Sequence, residues 1–204
     1  MKRDRRTKAA LSLGLIGLIA AVLLSGVDRL TREPIALAEQ RRALATLTEL
    51  VPAERFDNDP VFDRIEQVIS GFEQPAIIHR ARRNGEPVAL VFDVTTPRGY
   101  SGDIRLLVAL NPVGDIKGVR VLSHRETPGL GDKIEVRRSD WILQFSGRSL
   151  NNPPPQRWTS SRRGGEFDTL TSATVTTDAV VDAVRLVLLE AEEEAQDLWR
   201  PAAQ

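Results

Sequence analysis

The chain is predicted to be an α+β protein: an N-terminal transmembrane helix, then one soluble domain with a small antiparallel sheet flanked by helices. Three observations carry this expectation. Residues 9–27 hold no charge and follow a basic tail. Between residues 76 and 123, four short apolar, β-branched-rich runs alternate with turn signals. From Ala179 to Leu198, apolar residues recur at helical spacing.

Composition narrows the function classes. The 204 residues carry 28 basic and 28 acidic side chains, which gives no reason to expect a nucleic-acid partner. There are no cysteines, so disulfides, thiolate zinc sites, Cys-ligated iron–sulfur clusters and a Cys nucleophile are excluded. A lipoprotein anchor falls for the same reason. Two histidines, His79 and His124, cannot build a multi-histidine metal site. Any redox role therefore needs an organic cofactor.

Residues 1–8 set Lys2, Arg3, Arg5, Arg6 and Lys8 against Asp4. At ~1.5 Å per residue, residues 9–27 come close to the ~30 Å hydrocarbon thickness of a bilayer. The basic flank stays cytoplasmic, which places the chain after Asp28 outside. A cleaved signal peptide is the competing reading, with Ala36-Leu37-Ala38 as its cleavage site. That site lies far beyond the apolar run and after Pro34, so an uncleaved anchor is favoured. Residues 28–52 read as a connecting helix with Leu37, Leu44, Leu47 and Val51 near one face, ended by Pro52. Residues 53–204 form the domain.

The expected strands are Ala76–Ala81, Val88–Thr95, Asp103–Leu110 and Ile116–Ser123. Asn84-Gly85, Pro97-Arg98-Gly99 and Asn111-Pro112-Val113-Gly114 separate them. Such short connections demand antiparallel hairpins, because parallel crossovers need a dozen or more residues. His79 is read as a partly exposed strand residue rather than a ligand, since no second ligand lies nearby. Gly99-Tyr100-Ser101-Gly102, with the chain's single tyrosine, is a loop that could lie close to a planar ligand.

Ser123 to Lys133 is a shaped loop, since Pro128, Gly129 and Gly131 cannot continue a strand or helix. His124, Arg125, Glu126 and Thr127 make it a candidate binding loop, although a connection of rich composition is an equal reading. The amides of Gly129 and Gly131 would suit a ligand with acceptors. A His–Glu acid/base pair is conceivable, without a nucleophile or metal set to accompany it. Beyond it, Ser139–Phe145 reads as a short capped helix, Asn151–Trp158 as a proline-rich strap, and Arg162–Gly165 as a flexible link. Asp168 to Thr177 then crowds Thr171, Ser172, Thr174, Thr176 and Thr177 at a helix start. Unpaired amides and the helix dipole favour a phosphate there. A plain Thr-rich cap, with Ser172 or Thr171 as the capping residue, is the bland alternative.

Two of these stretches together carry a resemblance. His124-Arg125-Glu126-Thr127-Pro128-Gly129-Leu130-Gly131 resembles the H-x-E-T-P-G-L-G loop of the FMN-binding family. Asp168-Thr169-Leu170-Thr171-Ser172-Ala173-Thr174 is similar to that family's flavinylation motif, D-x-x-[ST]-G-A-T, agreeing at Asp168, Thr171, Ala173 and Thr174. Gly99-Tyr100-Ser101-Gly102 looks like the family's G-Y-x-G turn. The family includes the G subunit of the Rnf ion-translocating electron-transport complex and the C subunit of the sodium-pumping NADH:quinone reductase. The length of the chain suits the Rnf branch. Ser172 departs from the pattern, which has Gly there. If that Gly is needed for a positive φ, Ser strains the turn; if it only provides clearance, Ser is a small substitute.

The resemblance implies FMN attached covalently, by a phosphoester, to Thr174. A periplasmic flavin transferase using FAD would make the bond, with Asp168 orienting the reacting group or the transferase's metal. It implies a phosphate held by the amides and hydroxyls of Thr176 and Thr177, and an isoalloxazine ring against Glu126–Gly131 with Leu130 as platform. It further implies an electron-transfer subunit in the bacterial inner membrane, its domain facing the periplasm. Its partners would be the other membrane and peripheral subunits of an Rnf-type complex. A membrane-anchored, non-redox binding module is the alternative. A standalone flavin reductase is disfavoured, because no G-x-G-x-x-G element for a nicotinamide cofactor is present.

Overall fold

The computed structural model describes residues 14, 15, 17, 18, 20–31, 34 and 45–201. Residues 1–43 and 44–204 form two separate units. In the first, the described residues between 14 and 31 are helical, and Leu15, Leu18, Val22, Leu23, Leu24, Val27 and Leu30 are exposed. Among the described residues no helix is long and apolar enough to cross a membrane. The basic tail, the start of the expected anchor, the Ala36-Leu37-Ala38 stretch and most of the connecting helix lie outside the described residues.

The second unit is built on a five-stranded antiparallel meander, with strands adjacent in sequence order. The strands are β1 (Arg64–Gln67), β2 (Ala76–Arg83), β3 (Glu86–Thr96), β4 (Ile104–Leu110) and β5 (Ile116–Ser123). The four expected strands are present within two residues, and β1 is an addition. The β2–β3 hairpin turns through Asn84 (φ 52°) and Gly85 (φ 82°), two left-handed residues in succession. That is the backbone a tight two-residue hairpin requires and Asn-Gly supplies.

Alternation along the central strands sends side chains to two cores. Leu90, Phe92 and Val94 of β3 join Ile104, Leu106, Val108 and Leu110 of β4 on one face. Against this face lies the long helix Thr174–Glu193, whose Val180, Ala183, Val184, Val187, Leu188 and Ala191 recur at three- and four-residue steps. Ala89, Val91, Leu107 and Ala109 point to the other face, where Leu47, Leu50 and Val51 cover them. Gly118 makes that approach possible, since a Cβ there would sit 2.7 Å from Leu50 Cδ2. Burying each valine or leucine of these faces is worth ~1.5–3 kcal/mol.

After β5 the chain crosses the first core in short 3-10 turns. Ser139 caps one of them, Asp140–Phe145, through its hydroxyl to Trp141 N–H. Phe145, Trp158 and Phe167 pack ring on ring, with centroids 4.9 Å apart for Phe145–Phe167 and 4.5 Å for Trp158–Phe167. This aromatic cluster fixes the strap and delivers the chain to Asp168.

One expectation about the sheet is corrected. His79 is buried, not partly exposed: it lies beneath Pro60, whose carbonyl accepts from its Nδ1–H at 2.9 Å. Burial is the main cause holding its pKa below the ordinary histidine value, partly countered by the Pro60 bond and by Asp93. The unfolded chain therefore takes up a proton near pH ~6.5 that the folded chain resists, so stability falls as pH drops below that value. Urea unfolding of the full chain between pH 8 and 5 is expected to show this loss, and His79→Gln to flatten it. An equally steep loss in the variant would count against His79 as its source.

Candidate functional site

The loop after β5 is held by its own backbone. Leu130 and Gly131 N–H both donate to Thr127 O at 3.1 Å, with Asp132 N–H at 3.4 Å, and Gly129 takes φ 78°. The Gly131 amide is thus committed inside the loop and is not a donor for a ligand as expected. His124 does not pair with the Glu126 carboxylate. Its Nε2–H donates to Glu135 Oε1 at 2.8 Å, and its Nδ1 accepts the Glu126 backbone N–H at 3.0 Å. The His124 bond also holds the Glu135 carboxyl below its usual range. His124 is therefore a brace at the loop's base and no acid/base pair forms with Glu126.

Glu126 turns inward instead. The residue is 5 % exposed, and Oε1 accepts Ser101 N–H at 3.0 Å. Its Oε2 accepts the Thr176 hydroxyl in a short hydrogen bond. Two glycines make room for it. A Cβ on Gly99 would lie 2.8 Å from Glu126 Oε1 and 2.2 Å from Gly102 O; one on Gly131 would lie 2.8 Å from Glu126 Cβ. One buried carboxylate thus ties together the Tyr100 turn, the 124–131 loop and the start of the long helix. These are the three stretches singled out in the sequence.

The helix starts at Thr174, with Ala173 as N-cap and no side-chain cap. The expected capping role of Ser172 or Thr171 is not observed. Thr177 secures this end in another way, its hydroxyl accepting from Leu170 N–H at 3.1 Å and donating to Ala173 O at 3.0 Å. The Thr177 N–H donates to Ala173 O as well. The donors imagined on Thr177 and the Thr176 hydroxyl are therefore already used. The amides left free by helix geometry are those of Thr174, Val175 and Thr176.

Ser172 answers its own question. Its φ is 66°, so the position is left-handed, the conformation that Gly adopts without strain. Serine there costs ~1–2 kcal/mol, while Gly would add ~0.5–1 kcal/mol of unfolded-state entropy. Ser172→Gly is accordingly expected to stabilise the domain by about 0.5–1 kcal/mol. Thermal unfolding of the full chain in detergent checks this, and no gain would show that the turn is not strained.

Between these elements opens a cleft of about 490 Å³, lined by Tyr100, Glu126, Thr127, Leu130, Gly131 and residues 172–176. Tyr100, Leu130 and Val175 are exposed apolar surfaces on its rim. Of the expected site residues, His124, Gly129, Asp168, Thr171 and Thr177 stand outside the lining. Asp168 is held by its backbone: its carbonyl accepts Trp141 Nε1–H at 2.6 Å and its N–H donates to Gln144 Oε1 at 2.7 Å, leaving the carboxylate exposed. Sequence reasoning missed Arg162, which donates to the Thr174 hydroxyl at 3.1 Å from a stretch read as a flexible link. It also missed the Ser101 amide and the Glu126–Thr176 bond. No local signal reveals a pair 50 residues apart.

Known proteins match both halves of the chain. The FMN-binding domain family matches residues 99–188, and the RnfG N-terminal region family matches residues 1–50. Among curated relatives, the G subunit of the ion-translocating oxidoreductase complex of Pseudoalteromonas atlantica is 45% identical over 179 residues, covering 84% of this chain and 83% of its own. The corresponding G subunit of Stutzerimonas stutzeri is 44% identical, covering 89% and 79% of the two chains. That of Shewanella loihica is 38% identical over 99% of this chain and 97% of its own.

Proposed function

The chain belongs to the family of G subunits of ion-translocating oxidoreductase complexes, and on that premise we propose that it is an electron-transfer subunit carrying FMN on Thr174. The observation that carries this reading is the cleft itself. Tyr100, Leu130 and Val175 give it an apolar rim, and Thr174 lines it at the helix start, whose first amides lack intrahelical partners. The donor set fits the group. Amides at a helix start suit a phosphate, and the volume and apolar rim suit a planar ring.

FMN, when bound, supplies one- and two-electron redox chemistry. The chain's residues bind, orient and shield it. Thr174 would provide the ester oxygen, and the amides of Thr174–Thr176 would hold the phosphate. Leu130 and Val175, exposed apolar side chains of the lining, would flank the ring and limit water around it. Glu126, held from two sides by Ser101 N–H and the Thr176 hydroxyl, would fix the cleft wall beside it.

The remaining parts of the proposal concern place and partners. Residues 1–8 would be a cytoplasmic tail, 9–27 an anchor in the bacterial inner membrane, 28–52 a connecting helix and 53–204 a periplasmic domain. The uncharged run and the exposed apolar side chains from Leu15 to Val27 support the anchor. Partners would be the other subunits of an Rnf-type complex and a periplasmic flavin transferase. The full chain purified after coexpression with such a transferase is expected to be yellow. Colourless protein would favour a membrane-anchored binding module without redox chemistry.

A further inference from the structure

We propose that Arg162 is a positioning residue for flavin attachment, orienting the Thr174 hydroxyl beforehand and holding the phosphodiester afterwards. This rests on the reading that Thr174 is the attachment residue. Arg162 Nη1 donates to Thr174 Oγ1 at 3.1 Å across a sequence distance of twelve residues. Among the described residues no carboxylate forms an ion pair with Arg162, whereas its neighbours Arg157 and Arg163 each have one.

The turn that presents Arg162 is pinned on every side. Arg163 N–H donates to Ser160 O at 2.9 Å and Gly164 N–H to Ser161 O at 3.1 Å. Gly164 closes the turn at φ 82°. Ser161 N–H donates to Phe167 O at 2.7 Å, next to the buried aromatic cluster. Gly165 lies so close to Thr159 that a Cβ would sit 1.8 Å from its carbonyl oxygen. The neighbouring Arg163 clamps the turn to the long helix through Asp178 at 3.0 Å, one turn beyond Thr174. Of two adjacent arginines, one is thus spent on fixing the loop, and the other is delivered to a hydroxyl. A surface arginine serving only solubility needs no such mounting.

The chemistry gives the contact a purpose. A hydroxyl oxygen that accepts from the guanidinium keeps its own proton directed elsewhere, available to a base. Thr174 Oγ forms its bond to the FMN-side phosphorus of FAD as the pyrophosphate bridge breaks. AMP departs with the bridging oxygen, and the hydroxyl proton passes to a base on the transferase. Negative charge then stays on the non-bridging oxygens of the new diester, two bonds from the oxygen Arg162 already touches. A guanidinium fork binds such oxygens in pairs, as an ammonium does not.

The test is the initial rate of FMN attachment to the full-length chain by a purified flavin transferase with FAD, read by intact mass. Arg162→Gln is expected to slow attachment roughly ten- to a hundredfold. Arg162→Lys is expected to recover part of the rate, and the melting temperature of unmodified protein should not change. Wild-type rates in Arg162→Gln, while Thr174→Ala takes no FMN, would overturn the role of Arg162 and leave the attachment site standing. Equal slowing in the Lys and Gln variants would overturn a charge-based role. FMN still attached to Thr174→Ala would instead overturn the site on which the inference rests.

Discussion

Full-length Thr174→Ala, made beside a flavin transferase, is expected to carry no covalent FMN: unmodified mass, and no flavin fluorescence in a denaturing gel. The expected loss is complete because Thr171, Thr176 and Thr177 cannot substitute. Thr176 is 1 % exposed and gives its hydrogen to Glu126. Thr177 is fully buried and spends its hydroxyl on Leu170 and Ala173. Thr171 does not line the cleft. Ser172 does, and it is the informative competitor. Flavin on Ser172 in the alanine variant would mean that the helix start, rather than one hydroxyl, selects the site. Thr174→Ser keeps the oxygen and should keep the flavin. Among the described residues, the half-buried Thr174 side chain makes no hydrogen bond besides that from Arg162, so the variant should fold.

Thr176→Val is expected to give the largest loss of stability, about 2–3 kcal/mol. Valine has nearly the shape of threonine but cannot donate, so the Glu126 carboxylate keeps its burial and loses the short bond to Oε2. A buried hydrogen bond to a charged group is worth ~1.5–3 kcal/mol, and the stranded oxygen adds its desolvation cost. Against a typical total of ~5–15 kcal/mol this is a large fraction. Adding Glu126→Gln should restore part of it by removing the buried charge. Urea unfolding of the full chain in detergent reads both changes. A loss under ~0.5 kcal/mol would mean that the three stretches are not joined through Glu126.

The meander was legible because its signals are local. Asn84-Gly85 specifies a two-residue turn, and β-branched alternation marks the strands on either side. β1 was not legible: Arg64-Ile65-Glu66-Gln67 holds one β-branched residue, and the strand is an edge whose existence depends on β2. The site divides in the same way. Thr174, Leu130 and Tyr100, which line one cleft, each stand in a motif that lies within a single loop. The inward turn of Glu126 and the reach of Arg162 depend on tertiary packing, across 50 and 12 residues respectively. Ser172 shows the boundary between the two cases. The sequence posed its two alternatives, strain or clearance, and only the backbone angle of 66° decided between them.

The central claim, FMN bonded to Thr174, is tested most directly by the intact mass of the full-length chain made with a flavin transferase, followed by fragmentation. The predicted result is an added mass equal to FMN less one water, carried by the fragment ion that contains Thr174. An unmodified mass, or the same addition on any other residue, would contradict it.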